Sequence, residues 1–165
     1  MLRAARNVCV KIAVEAPDQP DALALLRQSD AFLLGLYAPE FCHLLDVASL
    51  QALNVRFYIA RQERRALGCA ALVIGQAGEA ELKRMFVTEA ARGMGVGRAL
   101  LQAVEAAARH AGIRTLLVET GHLNTQALGL YRACLYRDRG VFGDYEDNGV
   151  SLFLEKSLFL EKSLG

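Results

Sequence analysis

The stretch Arg92-Gly93-Met94-Gly95-Val96-Gly97-Arg98 decides how this chain of 165 residues is organised. It lies between an apolar, strand-like run that ends at Val87 and an amphipathic segment from about Gly95 to Ala111 whose apolar residues recur at helical spacing. A glycine-rich turn between a strand and a helix leaves several backbone N–H groups unpaired at the positive end of the helix dipole. Such a turn binds phosphate without a dedicated lysine. We therefore expect a phosphate-bearing ligand here.

Length and composition predict one globular domain, since 53% of the residues are hydrophobic and 22% are charged. The net charge of +1 gives no global attraction to nucleic acid or acidic membranes, and no apolar stretch is long enough to span a bilayer. The basic cluster Arg61, Arg64 and Arg65 is predicted to be a solvated hairpin tip. Four dispersed cysteines lack the spacing of metal ligands. We expect a reduced, cytoplasmic protein without a metal.

Hydrophobic periodicity predicts a mixed α/β domain with the order strand, two helices, three strands, helix, strand, helix, two strands. Aspartates at positions 18 and 21 can cap the first helix, and a short second helix is expected over 39–50. The remaining helices are expected over 95–111 and 124–135. The expected strands are 8–16, 55–60, 67–75, 79–87, 115–119, 136–141 and 150–155.

The sequence Ser-Leu-Phe-Leu-Glu-Lys occurs twice in succession, at 151–156 and 157–162. Because the offset is even, either copy could pair in a sheet with the same side-chain face inward. One copy is enough to complete the sheet, so we expect a single domain over 1–156 and a repeated C-terminal tail over 157–165. A strand that faces a partner and a remnant of cloning are the alternatives. The sequence leaves open whether the chain forms a homodimer through its last strands.

A dinucleotide-binding fold is one explanation of the glycine-rich turn, since it also has a strand, a glycine turn, a helix and a second strand that ends in an acid, here Glu119. Its fingerprint requires a third glycine where Arg98 stands. The turn also follows an apparent antiparallel hairpin instead of opening a series of βαβ units. Both departures disfavour this fold.

The segment 92–97 matches the motif R/Q-x-x-G-x-G/A of the GNAT superfamily of N-acetyltransferases, which bind acetyl-coenzyme A (acetyl-CoA). Residues 81–87 resemble the central strand of that family, and 117–121 and 124–131 resemble its next strand and helix. The resemblance covers about 8–156. It implies an α/β fold of the GNAT acyl-CoA N-acyltransferase type, with a mixed sheet of about six to seven strands flanked by about four helices.

The resemblance implies a site for acetyl-CoA. In the family, the pyrophosphate rests on the N–H groups of the turn, and pantetheine lies between two splayed strands. The N–H of Val87 would then donate to the thioester carbonyl as negative charge develops there. Core packing is the alternative role for the side chains of 85–87. The implied cofactor-binding residues are Met85, Phe86, Val87, Arg92, Gly93, Met94, Gly95, Val96, Gly97, Arg98, Asn124 and Tyr131.

Acyl transfer to an amine needs a group that removes a proton, because an alkyl ammonium has a pKa of about 10. The departing thiolate needs an acid or a hydrogen bond. The resemblance implies that Tyr131 is this acid and that Glu81, acting through water, is the base, with Glu119 as the fallback. A tyrosine packed only for its area is the alternative for Tyr131. An exposed charge paired with Lys83 or Arg84 is the alternative for Glu81.

The resemblance also locates the acceptor pocket. Tyr37, Glu40 and His43 lie in the segment that usually walls this pocket, and Tyr145 lies in the region of the last hairpin; with Glu119, they are the expected substrate-binding residues. An ordinary half-buried histidine is the alternative for His43. We expect an enzyme that moves acetyl from acetyl-CoA to a primary amine of a small molecule or protein by direct attack in a ternary complex. A non-catalytic acyl-CoA binding or sensing module is the alternative function.

One position departs from the family pattern. The last helix of the family commonly ends in Gly-Phe or Gly-Tyr, with the glycine in a left-handed conformation, whereas this chain has Leu135-Tyr136. A leucine is costly there if the backbone stays left-handed. The departure puts the geometry near Tyr131 in question.

Overall fold

The computed structural model describes residues 9–159, which form a mixed sheet with helices on both faces. The helices are α1 (Pro20–Leu36), α2 (Val47–Leu50), α3 (Val96–His110) and α4 (Thr125–Ala133), with single 3-10 turns at Pro39–Phe41 and Glu89–Ala91. The strands are β1 (Lys11–Val14), β2 (Val55–Gln62), β3 (Arg65–Ile74), β4 (Glu79–Val87), β5 (Thr115–Gly121), β6 (Arg137–Arg139) and β7 (Ser151–Ser157).

The seven strands lie in the order β1-β2-β3-β4-β5-β7-β6. Only the β4–β5 pair is parallel among the described strands. Both faces of the central strands are buried: Phe57 and Ile59 of β2 pack on the side of α1 and α2, and Tyr58 and Ala60 pack on the side of α3. Burial on both faces explains why β2 and β3 read as nearly continuous apolar runs. The predicted mixed α/β architecture is confirmed.

The parallel pair β4–β5 opens partway along its length. Its register runs from Glu79 opposite Thr115 to Leu82 opposite Val118 and stops there. In β4, the pairing with β3 also shifts register after this point, and Arg84 has a φ of +55°. The two strands therefore diverge over their C-terminal halves, where the site residues expected from the sequence are concentrated.

The prediction of one helix over 39–50 is wrong. The chain forms one 3-10 turn at Pro39–Phe41 and then the short α2. Asp46 causes the break, because its side chain accepts a hydrogen bond of 2.8 Å from the N–H of Ser49 and so starts a new helix. The segment between the 3-10 turn and α2 has no regular secondary structure and contains His43.

Two expected strands are shorter than predicted. The strand at 136–141 is limited to the three residues of β6, and the chain from 140 to 150 is irregular. The strand at 8–16 is reduced to β1, and Val8 lies outside the described residues. The hairpin tip is also not uniformly solvated: the Arg61 side chain is only 18% exposed, because it pairs with Glu15 at 2.8 Å and Asp21 at 2.7 Å.

The first copy of the repeat forms most of β7, which lies between β5 and β6. Ser157, the first residue of the second copy, ends β7. Leu158 is buried, its N–H donates to the carbonyl of Arg114 at 2.8 Å, and its carbonyl accepts from Nε of Arg109 at 2.8 Å. The assignment of 157–165 as a tail stays a prediction.

Leu135 does adopt the left-handed conformation, with a φ of +71°. Its N–H donates to the carbonyl of Arg132, and the N–H of Tyr136 donates to the carbonyl of Tyr131. These two bonds define a Schellman motif, which normally has glycine at this position. The leucine therefore leaves the helix end intact, and its side chain is exposed.

Over the range 9–159, no helix is both long and apolar enough to cross a membrane. The same residues contain no group of three or more His, Cys, Asp or Glu side chains that could hold a metal ion.

Candidate active site

Three cavities lie along β4 where it diverges from β5. The first, here called the turn cleft, has a volume of about 390 Å³ and lies at the glycine-rich turn before α3. The second, the central cavity of about 90 Å³, lies at Glu119 and Tyr131, and the third, the outer chamber of about 690 Å³, lies at the segment 142–146. The central cavity shares lining residues with both neighbours, so the three are contiguous. It shares Ser29, Leu33, Met85, Asn124 and Ala127 with the turn cleft, and Phe41, His43, Glu81 and Lys83 with the outer chamber.

The turn cleft ends at the N-terminus of α3. Gly95 caps this helix with a φ of +82°, and Ala99 is the first residue of α3 whose N–H bonds back, to the carbonyl of Gly95 at 3.0 Å. Among the residues that the structure describes, the N–H groups of 95–98 have no acceptor, and no acidic side chain lies in the first turn. Four free N–H groups at the positive end of a fifteen-residue helix are suited to a phosphate group.

Gly97 brings this turn close to its neighbours. A Cβ at this position would lie 3.0 Å from Cδ2 of Leu130 and 3.6 Å from Cγ2 of Val87. The absence of a side chain therefore lets α3 pack closely against both α4 and β4.

Arg92 lines the turn cleft and is fixed by two kinds of contact. Its Nε donates to the carbonyl of Val87 at 3.3 Å, and its guanidinium lies 5.0 Å from the ring centre of Phe32 and 6.0 Å from that of Phe86. Phe32 of α1 was not among the residues expected from the sequence. Its spacing places it on the apolar side of α1, and nothing in that spacing distinguishes a face that packs in the core from one that faces a ligand.

The N–H of Val87 faces the opening between β4 and β5. The N–H of the next residue, Thr88, donates to the carbonyl of Leu67 in β3 at 2.9 Å. Because successive peptide groups of a strand face opposite edges, the N–H of Val87 points away from β3. It is therefore directed to the side where β5 has already diverged.

Ten of the expected cofactor-binding residues line the turn cleft and two do not. Met94 is exposed at the surface outside it, and Tyr131 lines the central cavity instead. Asn124 caps α4, since its side chain accepts a hydrogen bond of 3.3 Å from the N–H of Ala127. The ten are Met85, Phe86, Val87, Arg92, Gly93, Gly95, Val96, Gly97, Arg98 and Asn124.

Tyr131 is buried at the wall of the central cavity, and its ring lies 5.6 Å from that of Tyr136. Burial raises the pKa of its phenol well above the usual value of 10.0, with a smaller contribution from the charge of Glu119. Its hydroxyl forms no hydrogen bond with another residue in the range 9–159. The phenol of Tyr131 is therefore protonated at neutral pH, and its hydroxyl is free to donate a hydrogen bond or a proton to a bound ligand.

Glu81 belongs to a cluster of three side chains at the wall between the central cavity and the outer chamber. Its Oε1 accepts a hydrogen bond of 2.5 Å from the hydroxyl of Tyr145 and one of 3.4 Å from Nζ of Lys83. Lys83 also donates to the Tyr145 hydroxyl at 2.5 Å. The pairing of Glu81 with Lys83 is thus present, and the sequence by itself indicates no other role for Lys83. Its i, i+2 spacing from Glu81 on one strand face is the signal that could have assigned it to the site.

Glu119 is the second carboxylate of the central cavity. Burial raises the pKa of its carboxyl above the usual value of 4.5; a hydrogen bond from Ser151 and the charges of His43 and Lys83 oppose this shift. Ser151 was not identified from the sequence, because it comes from β7 and reaches Glu119 only through strand pairing.

The remaining expected acceptor residues fall in two places. Tyr37 lines the central cavity and packs directly on Gly121, where any side chain would overlap its ring. His43 is exposed between the central cavity and the outer chamber, with its ring 5.2 Å from that of Tyr145, and Glu40 is an exposed residue of the outer chamber. His43 is therefore exposed, and the alternative of an ordinary half-buried histidine is wrong.

Known proteins share both the sequence and the fold. Residues 10–135 match the model of the Acetyltransferase (GNAT) family. An IAA acetyltransferase from Azospirillum brasilense is 43% identical over 150 residues, which cover 90% of this chain and 98% of the relative.

Solved structures agree with this match. A structure described as an acyl-CoA N-acyltransferase from Klebsiella pneumoniae superposes with a TM-score of 0.82 at 32% identity, and covers 92% of this chain and 99% of that one. An acetyltransferase from Bacillus subtilis in complex with CoA superposes with a TM-score of 0.70 at 18% identity, over 92% of this chain and 100% of that one, and shows the shared fold. The chain belongs to the GNAT family of acetyltransferases and is an acetyl-CoA-dependent acyltransferase.

Proposed function

We propose that this protein transfers the acetyl group of acetyl-CoA to a primary amine of a small molecule or a protein, by direct attack within a ternary complex. The observation that carries the proposal is the contiguity of the three cavities. Donor and acceptor can enter from opposite sides, through the turn cleft and the outer chamber, and meet at the central cavity. Two reactants held together in this way need no covalent enzyme intermediate.

Acetyl-CoA supplies the acetyl group as a thioester. In this proposal, the free N–H groups of 95–98 hold its pyrophosphate, and Arg92 and Arg98 add positive charge to the same cleft. The N–H of Val87 donates to the carbonyl oxygen as that oxygen gains negative charge. A donor fixed on a strand before the reaction is effective because it needs little reorganisation.

We assign the base to Glu81 and the acid to Tyr131. Oε1 of Glu81 is engaged by Tyr145 and Lys83, so Oε2 remains to accept the amine proton through a water molecule. The protonated phenol of Tyr131 then donates to the departing thiolate. Glu119 is the alternative base, since burial moves its pKa upward in the direction of the operating pH.

The charge of the outer chamber supports an amine acceptor. Its lining contains four carboxylates and, among the residues described, the ammonium of Lys83 as the single fixed cation. An amine arrives largely as the ammonium form at neutral pH. A chamber with excess negative charge attracts that form before a base removes its proton. The four carboxylates are those of Glu40, Glu81, Asp144 and Glu146.

The test is a panel of primary amines incubated with acetyl-CoA, with CoA release measured by a thiol reagent and the acetylated product identified by mass spectrometry. For the best acceptor, Glu81→Gln and Tyr131→Phe are each expected to lower kcat by about 10²- to 10⁴-fold. Glu119→Gln serves as the matched change to a second carboxylate. If Glu119→Gln is inactive while Glu81→Gln keeps wild-type turnover, the base is Glu119.

The same experiment separates catalysis from ligand sensing. Calorimetry with CoA measures binding independently of any acceptor. If CoA binds while no amine in a broad panel is acetylated, the proposed amine transfer is wrong, and the acyl-CoA sensing role is favoured. Turnover that survives both Glu81→Gln and Tyr131→Phe would instead contradict the assigned acid and base.

A further inference from the structure

Arg84 has an unusual backbone conformation for a strand residue. It lies in β4 with a φ of +55°, at the point where the pairing with β3 changes register between Cys69 and Ala71. This is a β-bulge, in which one extra residue is inserted into one strand of the pair. A left-handed conformation is costly for any residue with a Cβ, so the surrounding structure must stabilise it.

The bulge reverses which side chains of β4 point to each face of the sheet. Before it, Ala80 and Leu82 pack into the core on the side of α3. After it, Met85 and Val87 pack on that side, and Phe86 packs on the side of α1. A shift of one residue in a structure with a period of two produces this inversion.

The bulge also changes which neighbouring strand the N–H and C=O groups of β4 face. The carbonyl of Glu79 accepts a hydrogen bond from Gly75 at the end of β3, so the peptide groups of Glu79 face β3. In a regular strand, residue 87 would face the same neighbour, because it lies an even number of residues later. Instead Thr88 donates to Leu67 of β3, and Val87 faces the opening toward β5. The donor that the proposed mechanism requires is available only because of the bulge.

The side chain of Arg84 connects the bulge to α1. It is 4% exposed, and one terminal nitrogen lies 2.6 Å from Oδ1 of Asp30 and donates to the carbonyl of Leu26 at 3.2 Å. The carbonyl of Arg84 accepts a hydrogen bond from Sγ of Cys69 at 3.3 Å. The bulge is thus held from β3 on one side and from α1 on the other. The last part of α1 itself lines the turn cleft.

We infer that Arg84 and Asp30 are positioning residues for acetyl transfer: their ion pair holds the β4 bulge that directs the N–H of Val87 into the acetyl-CoA site. This inference rests on the proposed function, because it assigns a support to the same site. Neither side chain touches the reacting atoms. They act through the backbone of 85–87.

The first experiment compares Arg84→Met with Arg61→Met. Both changes remove a guanidinium that pairs with an aspartate of α1, Asp30 for Arg84 and Asp21 for Arg61. Arg61 lies at a register shift between β2 and β3, so only Arg84 lies at the bulge of β4. Arg84→Met is expected to weaken CoA binding about tenfold and to lower kcat about 10- to 100-fold, with the KM of the acceptor unchanged. Arg61→Met is expected to leave all three values within about twofold of wild type. If Arg84→Met lowers only the free energy of unfolding in urea and keeps wild-type CoA affinity and kcat, the role of Arg84 is merely structural.

Two milder variants keep the test decisive if Arg84→Met does not fold. Arg84→Ala removes the anchor, keeps the Cβ that strains a positive φ and adds no long apolar side chain, and Asp30→Asn keeps the shape of the partner while removing its charge. Both are expected to weaken CoA binding and lower kcat in the same pattern, with Asp30→Asn the smaller effect. Wild-type CoA affinity and wild-type kcat in both variants would overturn the inference.

The readouts also distinguish this inference from the proposed function. Turnover of amines by the wild-type protein tests the function. The ratio of CoA affinities between Arg84→Ala and wild type, measured by calorimetry, tests the positioning role even if no amine is acetylated. A weakened CoA affinity without turnover of any amine would support the inference while contradicting the proposed acceptor.

Discussion

The hydroxyl of Tyr145 donates a hydrogen bond of 2.5 Å to Oε1 of Glu81. Tyr145 comes from the irregular segment between β6 and β7, and Glu81 is the third residue of β4, so this bond joins distant parts of the chain. The Tyr145 hydroxyl is oriented by Lys83, which donates to it at 2.5 Å. Burial raises the pKa of the Tyr145 phenol, and the bond to Glu81 raises it further. The phenol therefore stays protonated and keeps the carboxylate in a fixed orientation.

Replacement of Tyr145 by phenylalanine tests this orientation. A hydrogen bond to a charged group contributes about 1.5–3 kcal/mol, so kcat/KM for the acceptor should fall about 10- to 100-fold. The KM for acetyl-CoA should not change, because Tyr145 does not line the turn cleft. Initial rates with each substrate varied in turn measure both effects. Tyr58→Phe, which removes a hydroxyl from a tyrosine that lines none of the three cavities, is the control; equal effects from both variants would refute the role of Tyr145.

The raised pKa of Glu119 predicts a pH-dependent cost to stability. Because burial raises its pKa in the folded state, the folded protein binds the proton more tightly than the unfolded chain. The contribution of Glu119 is therefore fully present below the ordinary value of 4.5 and is lost as the pH rises through the folded-state pKa. Glu119→Gln should be more stable than wild type at pH 7.5, with an advantage that shrinks as the pH is lowered to 4.5. Urea unfolding at both pH values measures it, and a pH-independent difference would contradict the prediction.

Replacement of Leu135 by glycine is expected to raise the free energy of unfolding. Its left-handed backbone costs about 1–2 kcal/mol, and its side chain is 79% exposed and so gains little from burial. Leu135→Gly removes the strain but adds freedom to the unfolded chain, so the net gain should be about 0.5–1 kcal/mol in the free energy of unfolding. Leu135→Ala keeps the Cβ and should give no comparable gain. Chemical denaturation of the three proteins checks the order.

The sequence predicts best those structural features that depend only on residues adjacent in the chain. The glycine turn before α3 is fixed by residues adjacent in the chain, and so is the cap of α4 by Asn124. The helix expected over 39–50 failed because Asp46 competes as a capping residue, and a periodic apolar pattern does not register such a break.

The parts of the site that depend on pairing could not be read from the sequence. The approach of Ser151 to Glu119 depends on strand register, and the bulge at Arg84 depends on the packing of its side chain under α1. Lys83 lies two residues from Glu81, and the sequence indicates only an ion pair between them, because no local pattern shows that Tyr145 reaches both side chains.

Acetyl-CoA binding is proposed to depend on the turn before α3, and the close packing of Gly97 is expected to hold this turn in place. Gly97 and Gly129 provide a matched pair of positions that tests this expectation. A methyl group at 97 would lie 3.0 Å from Cδ2 of Leu130, whereas one at 129 would have no neighbour within 4 Å. Gly97→Ala should therefore displace the first turn of α3, weaken CoA binding by at least about tenfold and cost about 1–3 kcal/mol of stability. Gly129→Ala, in the exposed interior of α4, should leave CoA binding unchanged and stabilise the protein by up to about 1 kcal/mol. Calorimetry with CoA and urea unfolding measure the two effects, and undiminished CoA affinity in Gly97→Ala would show that the turn does not depend on this close packing.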